Sequence, residues 1–299
     1  MKRVLSYSVR EVAPYINWTY FFHAWGMESR FATVADVHDC LACQSQWTNS
    51  FNKEERAKAH EALNLYQNAL EQLRLMGHQK LLKATFRIVS ANSIDDDIIA
   101  EGIRIPCLRQ QHPNKEGYTL CLSDFIRPYS SGILDTIGLF ATSIDKNIYA
   151  LYPEDPYRQL LVETLASRLT EAATEKMHLE VRTNYWGYAP NERLSIAELH
   201  NERFQGIRPA VGYPSLPDQS INFILDDLLD MKQIGITLTE NGMMQPHASV
   251  SGLIFAHPAS RYFSVGKIDK DQLEDYARRR NLPIKTMRKY LSANLLSED

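Results

Sequence analysis

Residues 69–89 read ALEQLRLMGHQKLLKATFRIV, and the change of rhythm inside this stretch decides the fold class. Up to Met76 the apolar side chains Ala59, Ala62, Leu63, Tyr66, Ala69, Leu70 and Leu73 recur at three- and four-residue spacing. That spacing predicts one amphipathic helix over residues 52–76, stopped by Gly77. Beyond the glycine, Ala84, Phe86 and Ile88 alternate with Thr85, Arg87 and Val89, the period of a half-buried strand.

Working outward, short strands are expected at Ile103–Leu108, Tyr118–Leu122 and Ile137–Thr142, between turns rich in Gly, Pro, Asn and Asp. A second long helix is expected from Asp155 to Val181, with Leu160, Leu161, Leu165, Leu169 and Ala172 as its apolar stripe and Pro156 in its first turn. Pro217 and Asp218 open another helix, which buries Ile221, Ile224, Leu225, Leu228 and Leu229 and stops near Gly235. Strands at Ser249–Ala256 and Tyr262–Ile268 lead to a helix starting near Asp269, where Gln272 is placed for a capping box. Helices and strands mix without the regular alternation of a doubly wound sheet. The expectation is therefore α+β: a single compact domain over residues 1–299, with a central, largely antiparallel twisted sheet and flanking helices.

Composition narrows the function. A net charge of −3 argues against a nucleic-acid partner, and the basic run Arg278, Arg279, Arg280 is too small to reverse that. No apolar run approaches the roughly 18 residues a bilayer span needs, so no membrane partner is expected. The N-terminal MKRVLSYSVREV lacks the apolar core of a secretion signal, and a cytoplasmic protein is expected. Cys40 and Cys43 form a C-x-x-C, yet neither a second such pair nor a suitably spaced histidine pair accompanies it. No metal site is expected, two small residues on one helix face being the plainer reading; a redox or metal scaffold is the third reading of the chain.

Familiar catalytic motifs are missing. No two glycines are separated by a single residue, which removes the dinucleotide fingerprint and the glycine-rich loop of Rossmann methyltransferases; the phosphate-cradling P-loop is also absent. There is no H-E-x-x-H and no G-x-S-x-G. Asp36-Val37-His38 begins like the D-x-H-x-x-G that supplies a histidine to cobalamin, but Leu41 stands where glycine is needed.

The C-terminal third carries Gly206-Ile207-Arg208-Pro209-Ala210-Val211-Gly212-Tyr213-Pro214, Leu238-Thr239-Glu240, Ser249-Val250-Ser251-Gly252 and His257-Pro258-Ala259-Ser260-Arg261-Tyr262-Phe263. Upstream lies Tyr185-Trp186-Gly187-Tyr188-Ala189-Pro190-Asn191-Glu192, with weaker matches back to Trp18-Thr19-Tyr20-Phe21-Phe22; residues 27–51 match poorly. In this order the motifs resemble the activation domain of cobalamin-dependent methionine synthase. The resemblance implies binding of S-adenosylmethionine and docking on a separate cobalamin-carrying methionine synthase chain. There an electron from a flavodoxin-type donor lets the methyl group pass to cob(II)alamin and restores the enzyme. It implies no catalytic side chain here, since sulfonium and corrin supply the reactive groups. With no barrel or cobalamin motif in the chain, the expected protein is no complete enzyme alone and acts in trans.

The resemblance also assigns ligand residues. Arg208 offers a planar fork for the methionyl carboxylate; Ala210 and Gly212 would admit the ligand to backbone groups, followed by Tyr213. Tyr262 and Phe263 form an aromatic pair, and Glu171 on the long helix presents a carboxylate. Asn17 stands where the family usually has aspartate, keeping an acceptor oxygen without the charge. His247 replaces a small residue and is expected to be a surface imidazole. The alternative function is a corrinoid-protein binding or regulatory module that no longer supports methyl transfer.

Overall fold

The computed structural model describes residues 1–113 and 117–296. Eight strands are described: β1 Lys2–Tyr7, β2 Leu82–Ile94, β3 Asp97–Ala100, β4 Ile103–Pro106, β5 Asp135–Ile144, β6 Thr237–Leu238, β7 Met244–Gln245 and β8 Ser249–Ile254. The α-helices are α1 Val9–Val12, α2 Trp18–Ala24, α3 Leu41–Asn49, α4 Arg56–Met76, α5 Pro156–Glu180, α6 Ile196–His200, α7 Ile221–Leu229, α8 Lys270–Arg280 and α9 Ile284–Tyr290. This is the α+β class expected. Two compact units are distinguished, one of Met1–Leu5, Ala84–Ser143 and Met177–Asp299, the other of Ser6–Lys83 and Ile144–Lys176.

The first unit holds a sheet of order β4-β3-β2-β5-β8, with β1 also paired to β2. The β2/β3, β3/β4 and β5/β8 pairs are antiparallel. Along β2 the side chains of both Thr85 and Phe86 are buried, so this central strand is covered more fully than the half-buried strand expected from its alternation. Ile98, Ile105, Ile137, Leu139 and Leu253 from the sheet, with Phe255 just beyond β8, pack with Leu225 and Leu229 of α7. Helix α7 ends where Asp230 takes a left-handed conformation; a short 3-10 turn then runs to Gly235, close to the stop read from sequence. On α8, Arg279 and Arg280 turn inward to the buried carboxylates of Asp97 and Asp218, so the basic run is largely consumed by the fold.

Three expectations are corrected here. Residues 118–122 form no strand: Gln110 donates its backbone N–H to the Leu120 carbonyl, one isolated bridge joins Arg109 and Cys121, and a 3-10 turn follows. Residues 262–267 are likewise outside any ladder, because their hydrogen bonds go to side chains and to a loop. Gln272 makes no capping box; its amide instead accepts from the Arg109 N–H at 2.8 Å and donates to the Arg109 carbonyl at 3.0 Å.

The second unit is helical. The stripe on α4 buries Ala59, Ala62, Ala69, Leu73 and Met76 as expected, with Gly77 at its C-terminal cap. On α5 Leu161, Leu165 and Leu169 are buried, whereas Leu160, assigned to the same stripe, is 52% exposed. Trp18 on α2 sets its ring edge-on to Phe21 and Tyr66, with centroids 5.2 and 4.7 Å away.

Candidate functional site

The Gly206–Gly212 stretch is an added edge to the sheet. Ile207 exchanges both backbone hydrogen bonds with Phe255, the Pro209 carbonyl accepts from Leu253 N–H at 3.1 Å, and Val211 N–H donates to the Ser251 carbonyl at 2.9 Å. Proline is tolerated on an outermost segment because only its carbonyl is asked to bond inward. Residues alternate in the direction of their backbone groups. The amides and carbonyls of Arg208 and Ala210 therefore point away from β8, toward the side where a ligand could reach them.

Two glycines permit this approach. A Cβ on Gly252 would lie 2.2 Å from the Pro209 carbonyl oxygen and 2.9 Å from Ala210 Cα; a Cβ on Gly206, at φ +85°, would lie 2.2 Å from the Phe255 oxygen. Sequence reasoning quoted both residues and gave neither a role. The signal was present, since glycine inside a strand pattern marks close backbone approach.

Tyr262, 54 residues downstream, meets this segment directly: its hydroxyl accepts the Arg208 backbone N–H at 3.0 Å. Next to it, Phe263 N–H donates to the Ser215 hydroxyl at 3.2 Å, and Ser215 donates back to the Phe263 carbonyl. Val265 N–H donates to the Pro214 carbonyl at 2.9 Å. The turn between is closed by Tyr213 N–H to the Ala210 carbonyl at 3.2 Å and Gly212 N–H to the Leu216 carbonyl at 2.8 Å, with Gly212 at φ +87°. Tyr213 is 53% exposed. Arg208, Ala210, Gly212, Tyr213, Tyr262 and Phe263 thus converge in one place in the first unit.

Asn17 and Glu171 belong to the second unit. Asn17 is the N-cap of α2, its Oδ1 accepting from Thr19 N–H at 3.1 Å. Asparagine and aspartate cap about equally well, so the amide keeps the helix start that the family's aspartate would give. Glu171 is half-exposed and receives both arms of the Arg168 guanidinium, at 2.8 and 3.1 Å. His247 is exposed, as expected. A cavity of about 540 Å³ in this unit is lined by Arg10, Trp18, Tyr66, Leu70, Arg74 and His78 among others, and by none of the eight predicted residues.

A buried polar group, which the sequence did not reveal, packs with the Tyr185–Glu192 motif. A π-helical turn, Val181–Tyr185, continues α5. Within it Arg182 is fully buried, forked onto Glu192 at 2.7 and 3.0 Å and laid 4.1 Å over the Phe204 ring. Trp186 packs on Gly138, where a Cβ would lie 3.2 Å from its ring, and edge-on to Tyr188. The Tyr188 hydroxyl lies 3.4 Å from His178 Nε2. Burial, and then the positive charges of Arg182 and Arg208, hold the His178 imidazole well below its ordinary 6.5, so it is neutral at pH 7. Burial likewise pushes the Tyr188 phenol up. The two guanidiniums thus act on a neutral imidazole.

The arrangement supplies a guanidinium, an outward backbone donor and acceptor, and aromatic surface, all held by the sheet edge. Such a set of groups is chemically suited to holding a small zwitterion. Comparison with known proteins accords with it. Residues 8–281 match the family described as vitamin B12 dependent methionine synthase, activation domain. The crystal structure of the MetH reactivation domain bound to AdoHcy has a TM-score of 0.87 to this chain at 34% sequence identity, over 100% of this chain and 91% of that one. With the match running through every motif that builds the Arg208 edge and its buried wall, the chain belongs to the activation-domain family of vitamin B12-dependent methionine synthase.

Proposed function

We propose that this chain binds S-adenosylmethionine at the Arg208 edge and presents it to a cobalamin carried by a partner protein, so that the cofactor can be remethylated after accidental oxidation. The observation that carries the reading is the Tyr262 hydroxyl seated on the Arg208 amide, which brings two distant family motifs to one point. Arg208 grips the methionyl carboxylate with its fork, while the Ala210 N–H and the Arg208 carbonyl, turned away from β8, address the rest of the amino acid. Tyr213 and Tyr262 offer flat faces to the adenosyl group. The family resemblance also assigns a ligand-binding role to Glu171 and Asn17 of the second unit. Binding to the related domain is known for the demethylated product, which supports the choice of ligand.

The sulfonium supplies the methyl group and a flavodoxin-type donor the electron; the residues of this chain contribute position. We further propose that the two units act as one functional domain over residues 1–299, in the cytoplasm, on a separate corrinoid chain.

Isothermal titration with S-adenosylmethionine tests the reading. The wild-type chain should bind, and Arg208→Ala should lose about 1.5–3 kcal/mol, the usual contribution of a charge-assisted hydrogen bond. Equal heats for the two proteins would remove the ligand assignment. Binding without methylcobalamin formation on the partner under reducing conditions would select the regulatory alternative.

A further inference from the structure

The C-x-x-C that the proposed function leaves unused is not alone. His38, an exposed residue just before α3, brings a ring nitrogen to within 4.8 Å of both the Cys40 and Cys43 sulfurs, which lie within the same distance of each other. The backbone enforces the cluster: Cys40 N–H donates to the His38 carbonyl at 2.8 Å, and Cys40 is the N-cap of α3, its sulfur accepting from the Cys43 N–H at 3.4 Å.

We propose that His38, Cys40 and Cys43 form a binding site for one thiophilic divalent cation of the zinc class, with a fourth position open to solvent. Tetrahedral zinc with bonds of about 2.3 Å to sulfur and about 2.0 Å to nitrogen places its ligand atoms roughly 3.5–3.8 Å apart. Side-chain rotation alone closes the difference. Two thiolates and a neutral imidazole also select a soft ion over magnesium or calcium, and they balance its charge once the two thiol protons leave for solvent. Amides at the start of α3 add a favourable field for the negative sulfurs. The ion would tie the 3-10 segment Ser29–Asp36, which leads directly into His38, to α3. These elements lie in residues 27–51, which match the family's motifs poorly.

The site spacing was hidden because H-x-C-x-x-C mixes a loop residue with two residues on the first turn of a helix, and only the N-cap geometry makes them neighbours. All three residues belong to the second unit and none is among those assigned to S-adenosylmethionine, so the proposal does not depend on the ligand assignment.

The test uses the full chain, reduced and stripped with a chelator under anaerobic conditions, and titrated with Co²⁺. A sulfur-to-cobalt charge-transfer band and the intense visible bands of a tetrahedral ion should saturate at one equivalent and be displaced by Zn²⁺. Cys40→Ser and Cys43→Ser should each weaken binding by at least ~100-fold and His38→Ala by at least ~10-fold, with the far-ultraviolet circular dichroism unchanged. No charge-transfer band in the wild type, or a band that survives Cys40→Ser and Cys43→Ser, would overturn the proposal. So would loss of both thiols to a Cys40–Cys43 disulfide in the presence of excess reductant.

Discussion

At the scale of a residue, an imidazole beside two guanidiniums has to remain neutral, and His178 is that group. Its folded-state pKa is depressed, so the unfolded chain binds a proton below about pH 6.5 that the folded chain refuses. Stability is then complete above pH 6.5 and is lost as the pH falls below it, with a slope of up to about 1.4 kcal/mol per pH unit from this one residue. Urea denaturation at pH 7, 6 and 5 should show that decline, and His178→Gln should flatten it while lowering the value at pH 7. Glu11, Glu198 and Asp275, whose carboxyls are held low by hydrogen-bonded partners, act in a more acid window. A slope unchanged by the substitution would show that the imidazole is not the sensor. Nothing in sequence marked His178: it occupies an ordinary helical position, and its burial depends on Phe204 and Tyr188, 26 and 10 residues away in sequence.

At the scale of an element, the Arg208 segment is held by an absence of side chain. Gly252→Ala would drive a methyl group against the Pro209 carbonyl and part the segment from β8. We expect a loss of about 1–3 kcal/mol of stability, as for other overpacked positions, together with weaker S-adenosylmethionine binding. Thermal melting and calorimetry check both; a variant with wild-type melting and affinity would refute the role given to the glycine. Elements with a strong internal period were legible in advance. α4 and β8 were read within four residues at each end, α4 from its buried stripe and β8 as a continuous apolar run, whereas α7 proper stops at Leu229 and only a 3-10 turn reaches the expected Gly235. β1 and β3 were missed; β3 is four residues between turns, too short for alternation to register. The stretches at 118–122 and 262–267 have strand-like composition but bond their backbone to side chains and to isolated loop partners, which periodicity does not report. The meeting of Arg208 with Tyr262 came from family resemblance, since no spacing rule joins positions so far apart.

At the scale of the whole molecule, ligand and fold are thermodynamically linked. S-adenosylmethionine at 100 times its dissociation constant should add about 2.7 kcal/mol to the free energy of unfolding. Differential scanning calorimetry should therefore show a concentration-dependent rise in melting temperature for the wild-type chain and a much smaller one for Arg208→Ala. A rise of equal size in both proteins would place the ligand elsewhere. The outermost position of the Arg208 segment has one more effect. An open sheet margin is a template on which a foreign strand can grow into an aggregate. Here the Arg208 N–H is taken by the Tyr262 hydroxyl and the Ala210 carbonyl by the Tyr213 N–H. A stranger's extended backbone meets a row interrupted at those two groups, so the margin proposed here to receive a small guest is a poor template for polymer growth.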